Sequence, residues 1–290
     1  MNLHDPLVKV RVTCVICSSA AIISTIYRLY VRRRRIWADD GFAFFSMLFL
    51  AVQVVAVFLN PGEFSSLEGT GVGMPTSITA NGIGATRYYM MANMFYSIIW
   101  SARLSILFSI IRIDPDITRR YFMKGAAVLF GVAWVILIGQ IYWECEPEPN
   151  WKSKPVPQCE LNADVGICQL ISDIVSDSLL LLTPIRLFLV IRDKWLRYRL
   201  MMIFSTCIMT TIVSLAHTAY VIEAAGNIIV MVALVENCIS LIVCNVPVIV
   251  TSIVNLQESN PLDDGLTNLK FISFGERQTV TTLGTLPAHH

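Results

Sequence analysis

Five ionisable side chains lie inside long apolar runs of this sequence, where an unpaired charge is costly. They are Arg103, Asp173, Asp177, His217 and Glu236. A charge at the centre of a membrane helix costs about 2.5 kcal/mol or more, so such residues face a bundle interior and pair with one another. A group of this kind can bind a proton, a cation or a polar ligand. We therefore predict that these five residues form the ligand site or polar core.

Their spacing predicts specific pairs. Asp173 and Asp177 are four residues apart and share one face of a helix. At about 1.5 Å per helical residue, Arg103 and Asp177 both fall near the middle of their runs, which predicts an Arg103–Asp177 ion pair. Asp173 and Glu236 then remain as unpaired acids in the outer half of the predicted bundle, and His217 is their nearest partner. Low dielectric and mutual repulsion would leave one of these carboxyls protonated or ready for a cation. The alternative is a structural network that only specifies helix packing.

The segments that carry these residues are too apolar for a soluble domain. The 290-residue chain is 55% hydrophobic and 15% charged, and its mean hydropathy is +0.62. About 20 apolar residues of helix cross a bilayer. Open strand edges are not stable in lipid, so runs of this length are helices. We predict an all-α membrane protein, a seven-transmembrane helix bundle.

The bundle is predicted to occupy residues 1–255, and a flexible cytosolic tail to occupy residues 256–290. The predicted spans begin near Leu7 and Phe42 and then cover Arg87–Ile111, Tyr121–Trp143, Ala163–Ile191, Arg197–Ile222 and Ile228–Val254.

Basic residues concentrate on one side of these spans. With seven crossings, that side holds Arg32, Arg33, Arg34, Arg35, Arg112, Arg119, Arg120, Arg192, Lys194, Arg197 and Arg199. The positive-inside rule then places the N-terminus outside and the C-terminus in the cytosol. Asp39 and Asp40 follow the arginine run, where acids at a helix start are predicted to cap free N–H groups. The run is therefore interpreted as an orientation device and not as a nucleic-acid patch.

Two of the eight cysteines differ from the others in their surroundings. Cys145 and Cys159 fall in a polar, Pro-rich loop on the predicted exterior, which is an oxidising compartment, so we predict a disulfide. Two free exterior thiols are the alternative. Cys14 and Cys17 have metal-ligand spacing but no second ligand pair, and we predict no metal site.

Several motifs in chain order resemble the fungal rhodopsin-like seven-helix family. They are the basic run and acid pair of Arg28–Asp40, the third-run segment Ser101–Leu107 with Arg112-Ile113, the exterior Cys145-x-Pro147 with Trp151 and Cys159, Asp177 with Pro184-Ile185, and Glu236 with Cys244–Pro247. The resemblance covers about residues 25–255 and implies a receptor-like membrane protein.

Three classes of function follow from these observations. The first is a plasma-membrane receptor that senses an unknown extracellular ligand and signals to the cytosol, with lipid and a G protein as further partners and no nucleic acid. The second, a retinal protein, needs a seventh-helix lysine, and Ile228–Val254 contains none, so no cofactor is predicted. The third is an integral membrane enzyme or carrier that uses Asp173, Asp177 or Glu236 as a proton donor. No HExxH, nucleophile elbow or P-loop supports that class.

Overall fold

The computed structural model describes residues 6–58, 77–114, 116–147, 149–153, 159, 161–190, 194–222 and 227–258. Most of the predicted tail, residues 259–290, lies outside the described residues. So do Arg192 and the side chains of Lys194, Arg197 and Arg199.

Seven long helices and one short 3₁₀ helix make up the described part of the chain. They are α1 (Pro6–Arg32), α2 (Ala38–Phe58), α3 (Ser77–Ile113), α4 (Ile117–Cys145), the 3₁₀ helix (Pro149–Ser153), α5 (Ala163–Val190), α6 (Lys194–Ile222) and α7 (Asn227–Glu258). No strand occurs among these residues. The prediction of an all-helical protein is confirmed.

Six of these helices, within the described residues, contain apolar segments long enough to cross a membrane. The segments are Val8–Arg32, Ala38–Phe58, Gly84–Arg112, Ile117–Cys145, Ala163–Thr183 and Ile228–Ser252. Helix α6 contributes a shorter apolar segment, Cys207–Tyr220. The described part of the chain therefore has seven long helices where seven spans are predicted, and six of them meet the length and composition of a span.

Helix α3 lies at the centre of the bundle. It packs against α2, α4, α5 and α7, while α1 packs against α2 and α7, and α6 packs between α5 and α7. The α3 side chains Ile98, Trp100 and Ile110 are at most 1% exposed. Helix α4 instead exposes large apolar side chains such as Val128 and Val135. An outward apolar face of this kind fits contact with lipid. Polar and charged side chains within the membrane are therefore expected to lie around the central helix α3.

The bundle has two chemically different ends. At one end, Arg112 near the end of α3 lies 3.7 Å from Asp39 near the start of α2. We call this the arginine end. At the other end, Tyr88 near the start of α3 donates to the Cys159 carbonyl at 3.4 Å, and Cys145 ends α4. We call this the disulfide end.

Candidate ligand site and ion networks

Arg103 of α3 is buried and binds two aspartates of α5. Its Nη1 lies 2.5 Å from Asp173 Oδ1, and its Nε lies 3.1 Å from Asp177 Oδ1. Helix α6 completes this arrangement, because Ser214 donates to Asp173 Oδ2 at 2.5 Å and Thr211 donates to Asp177 Oδ2 at 2.7 Å. We call these five residues the Arg103 network.

The network corrects one sequence expectation. Arg103 does contact Asp177, but Asp173 is not left over beside His217, since the guanidinium reaches both carboxylates. The four-residue spacing places both acids on the α5 face that meets α3, and the fork of an arginine side chain has donors for two acceptors. One cation therefore serves two buried acids.

His217 and Glu236 form a separate buried pair. His217 Nδ1 of α6 lies 2.7 Å from Glu236 Oε2 of α7, and the Phe95 ring packs edge-on against the imidazole at 4.9 Å. Glu236 also lies within electrostatic range of Arg103 and Asp173. All five predicted site residues thus lie in one region, in two sets that span α3, α5, α6 and α7.

The space beside this region is small. A pocket of about 10 Å³ is lined by residues that include Arg103, Asp177, Thr210 and Ser240. About 10–15 Å³ of such volume holds one water molecule. In this conformation the region can hold a water, a proton or a small ion, whereas a larger ligand requires helix movement.

A disulfide covers one end of the bundle. Cys145 and Cys159 are joined with a Cα–Cα separation of 5.8 Å, so the predicted bond is present. Between them, Trp151 of the 3₁₀ helix is 5% exposed and donates through Nε1 to the Cys145 carbonyl at 2.9 Å. The Trp151 ring contacts the rings of Tyr88 and Tyr89 on α3. The loop is therefore packed onto the start of α3.

An exposed polar group fastens the same loop to α3. Lys152 donates to both Glu146 oxygens at 3.0 and 3.1 Å, and Tyr89 donates to Glu146 Oε1 at 2.9 Å. These hydrogen bonds hold the pKa of Glu146 below its usual range. Because the pKa of Glu146 is lower in the folded chain, its ionised carboxylate stabilises the fold at neutral pH. This stabilisation is lost as the pH falls through the folded pKa.

A second buried ion network lies at the arginine end. Arg28 of α1 is fully buried; its Nη2 lies 3.0 Å from Asp39 Oδ2 and its Nε 3.0 Å from Asp40 Oδ1. Arg32 also contacts both carboxylates, at 3.2 Å for Asp40 Oδ1. Ser109 of α3 donates to Asp39 Oδ2 at 2.8 Å. We call these five residues the Asp39 network.

Helices α3 and α7 join the Asp39 network through further hydrogen bonds. Ser105 of α3 donates to the Asp39 carbonyl at 2.7 Å. Arg28 Nη1 donates to the Cys244 carbonyl of α7 at 2.8 Å, and Asn245 donates to Thr25 of α1 at 2.8 Å. Helices α1, α2 and α3 therefore meet at Asp39, and α7 joins them through Arg28 and Thr25.

The Asp39 network was missed by sequence reasoning. Asp39 and Asp40 were expected to cap α2, but both carboxylates instead bind arginines, and only Asp40 also accepts from a backbone N–H, that of Trp37 at 3.3 Å. The usable signal was the four-residue spacing of Arg28 and Arg32, which places both on one face of α1 opposite an acid pair.

The predicted basic face is divided by this network. Arg32 is turned inward, whereas Arg33, Arg34 and Arg35 are exposed. The remaining described members are Arg112, which approaches Asp39, Arg119, which pairs with Asp114 and Asp116, and the half-buried Arg120.

Apolar helices of membrane-spanning length, with buried ion networks between them, define an integral multi-pass membrane protein. Residues 24–258 match the fungal rhodopsin domain, so the chain belongs to that family. The resemblance seen in the sequence motifs is thereby confirmed. No curated protein and no solved structure gives a match.

Proposed function

We propose that this chain is a receptor-like seven-helix protein of the plasma membrane, which senses an extracellular ligand at the disulfide end and signals to the cytosol at the arginine end. One observation carries the proposal. Helix α3 binds α5 through Arg103, and about 9 Å further along it binds Asp39 through Ser109. A movement of α3 that changes one network therefore changes the other.

The proposal assigns the seventh span to α6. Helix α6 packs between α5 and α7, both of which have apolar segments of spanning length. Its polar residues Thr211, Ser214 and His217 contact acids inside the bundle, so these side chains are satisfied without water. With seven crossings, the exposed arginines face the cytosol and the disulfide faces outside, as the positive-inside rule and the redox difference both favour.

The proposed mechanism is a ligand-dependent rearrangement of helices. Arg103 is shared by two acids, so a proton, a cation or a ligand group that neutralises one of them weakens the contact between α3 and α5. Helix shifts of about 1–2 Å are the usual scale of such switches. The shift would reach Asp39 through Ser105 and Ser109, and would loosen the four helices that meet there.

The test is nucleotide exchange on a fungal heterotrimeric G protein by the full chain in lipid nanodiscs. Asp40→Asn weakens the Asp39 network with little change in side-chain size, and we expect it to raise ligand-free exchange severalfold over the unmodified chain. Asp164→Asn, the same change at an exposed aspartate of the disulfide end, is the matched control and should leave ligand-free exchange unchanged. No exchange by any form would contradict coupling to a G protein, and substrate turnover or proton-coupled uptake would instead favour the enzyme or carrier.

A further inference from the structure

We propose that the cleft between α4 and α5 binds a cationic amphiphile from the bilayer, a molecule with a long apolar body and an amine head. The cleft has a volume of about 370 Å³ and begins at Asp164, in the first turn of α5 at the disulfide end. It lies outside both ion networks. Binding there does not depend on the chain acting as a receptor.

The shape of the cleft fits a long molecule. On the α5 side, Asp164, Cys168, Ile171 and Val175 line it at spacings of three and four residues, which is a single stripe along the helix. At 1.5 Å per residue the stripe is about 16 Å long. Helix α4 supplies the opposite wall, and the buried Trp100 of α3 forms the floor.

The walls select an apolar body. Ile171 and Val175 are exposed on the outer surface of a membrane helix, so hydrocarbon and not water fills the cleft. Two serines also line it, but Ser172 donates to the Cys168 carbonyl at 2.5 Å and Ser176 to the Asp173 carbonyl at 2.9 Å. Their hydroxyl protons are already used within α5, so little in the body of the cleft attracts a polar ligand.

The mouth of the cleft selects a positive head. Asp164 is the one charged residue that lines the cleft, it is exposed, and it forms no ion pair with any described residue. A second acid lies at this end of the bundle, since Glu144 near the end of α4 accepts from Asn162, two residues before Asp164. A carboxylate or phosphate head would meet like charge there, whereas an ammonium group would meet opposite charge.

The floor connects the cleft to the Arg103 network. The Arg103 guanidinium lies 5.3 Å from the centre of the Trp100 ring, within the range of a cation–π contact. A molecule seated on Trp100 therefore lies one side chain away from Arg103.

The experiment uses photolabelling of the full chain in nanodiscs. The probe is a long-chain primary amine with a diazirine in mid-chain, and labelled peptides are identified by mass spectrometry. Unlabelled amine, alcohol and carboxylic acid of one chain length are the competitors. We expect labelling on the cleft faces of α4 and α5, with the amine competing at concentrations about fivefold lower than the acid or the alcohol.

Two pairs of variants test the binding of the apolar body and of the amine head separately. Ala133→Phe fills the α4 wall and should reduce cleft labelling, whereas Val132→Phe places the same side chain at an exposed position of α4 that does not line the cleft. Asp164→Asn should remove the preference for the amine, and Asp164→Glu should keep it.

Three results would overturn the proposal. They are equal labelling of all lipid-facing helices, equal competition by the amine and the acid, and protection of the cleft by a second copy of the chain in cross-linked dimers. The competition series on the unmodified chain decides the question even if a variant fails to fold.

Discussion

At the scale of single residues, the chemistry depends on how Arg103 is shared. Its two bonds to Asp173 and Asp177 place one positive charge against two buried carboxylates. Serine and threonine hydroxyls satisfy the outer oxygens of both acids. Removing one member of such a set leaves charges that the interior cannot solvate, which costs more than the set contributes as a whole.

The free energy of unfolding should therefore fall less when Arg103 and its acids are removed together than when Arg103 is removed alone. Arg103→Leu alone leaves two buried acids without their cation and should lower the free energy of unfolding by about 3–5 kcal/mol. Asp177→Asn in the same background should recover part of the loss, and adding Asp173→Asn should recover most of it. Thermal unfolding in detergent measures the series. Full recovery by the double variant would contradict the role of Asp173, and no recovery by the triple variant would contradict the network.

Sequence reasoning reached part of this site. The position of Arg103 and Asp177 at similar depths predicts their contact, because depth depends only on counting along helices. The contact of Arg103 with Asp173 depends on how α5 is rotated and on the reach of the guanidinium, which counting does not give. The pairing of His217 with Glu236 agrees with their similar depth, whereas a functional role for these residues stays a prediction.

At the scale of elements, the α1–α2 connection is more than an orientation signal. Four consecutive arginines around the turn divide into an inward set and an outward set, since Arg32 contacts Asp39 and Asp40 while Arg33, Arg34 and Arg35 are exposed. Charge composition alone does not separate these sets. The buried Arg28, one turn before Arg32, decides which face of α1 turns inward.

The two sets should respond differently to the same substitution. Arg28→Leu removes a fully buried cation from two acids and should cost about 3–5 kcal/mol of folding free energy. Arg33→Leu removes an exposed cation and should change it by about 0.5 kcal/mol or less. Thermal unfolding of the two variants side by side provides the measurement. Equal losses would show that the Asp39 network does not stabilise the bundle.

Helix α6 decides the topology of the chain. If α6 crosses the membrane, the seven crossings place the start of α1 and the end of α7 on opposite sides of the membrane. With six crossings, both lie on the same side. We expect opposite sides, because the polar residues of α6 face buried acids and not water. Tags before α1 and after α7, probed by antibody on intact and permeabilised cells, give the count. Two tags that are both accessible on intact cells, or both accessible only after permeabilisation, would contradict the seven-span bundle.

At the scale of the whole molecule, α3 connects the two buried networks, whereas α7 joins the Asp39 network through Arg28 and pairs with α6 through Glu236. Helix α3 carries Arg103 and Ser109, and α7 carries Glu236 and Asn245. Helix α4 has no member in either network, whereas α1, α2, α5 and α6 each contribute charged or hydroxyl side chains. We expect such a bundle to move its polar contacts in discrete steps, because buried ions exchange partners and do not remain unpaired.

The class of fold was predictable from sequence because length and hydropathy of the runs exclude other folds in lipid. The disulfide between Cys145 and Cys159 was predictable from its polar, Pro-rich loop. The packing order was not predictable, since several helices have similar apolar faces. The Asp39 network depended on that order, because α3 and α7, which contact Asp39 and Arg28, lie far from α1 and α2 in sequence.

The central claim is that a change in the Arg103 network alters the arginine end. It can be measured by electron spin resonance between labels at Arg34→Cys and Thr118→Cys, in a Cys168→Ser background that removes the exposed free cysteine. Asp177→Asn should broaden the distance distribution or shift its mean by about 1–2 Å. Ser172→Ala, on the outer face of α5, is the control and should leave the distribution unchanged. Superimposable distributions for Asp177→Asn and the unmodified chain would contradict the coupling.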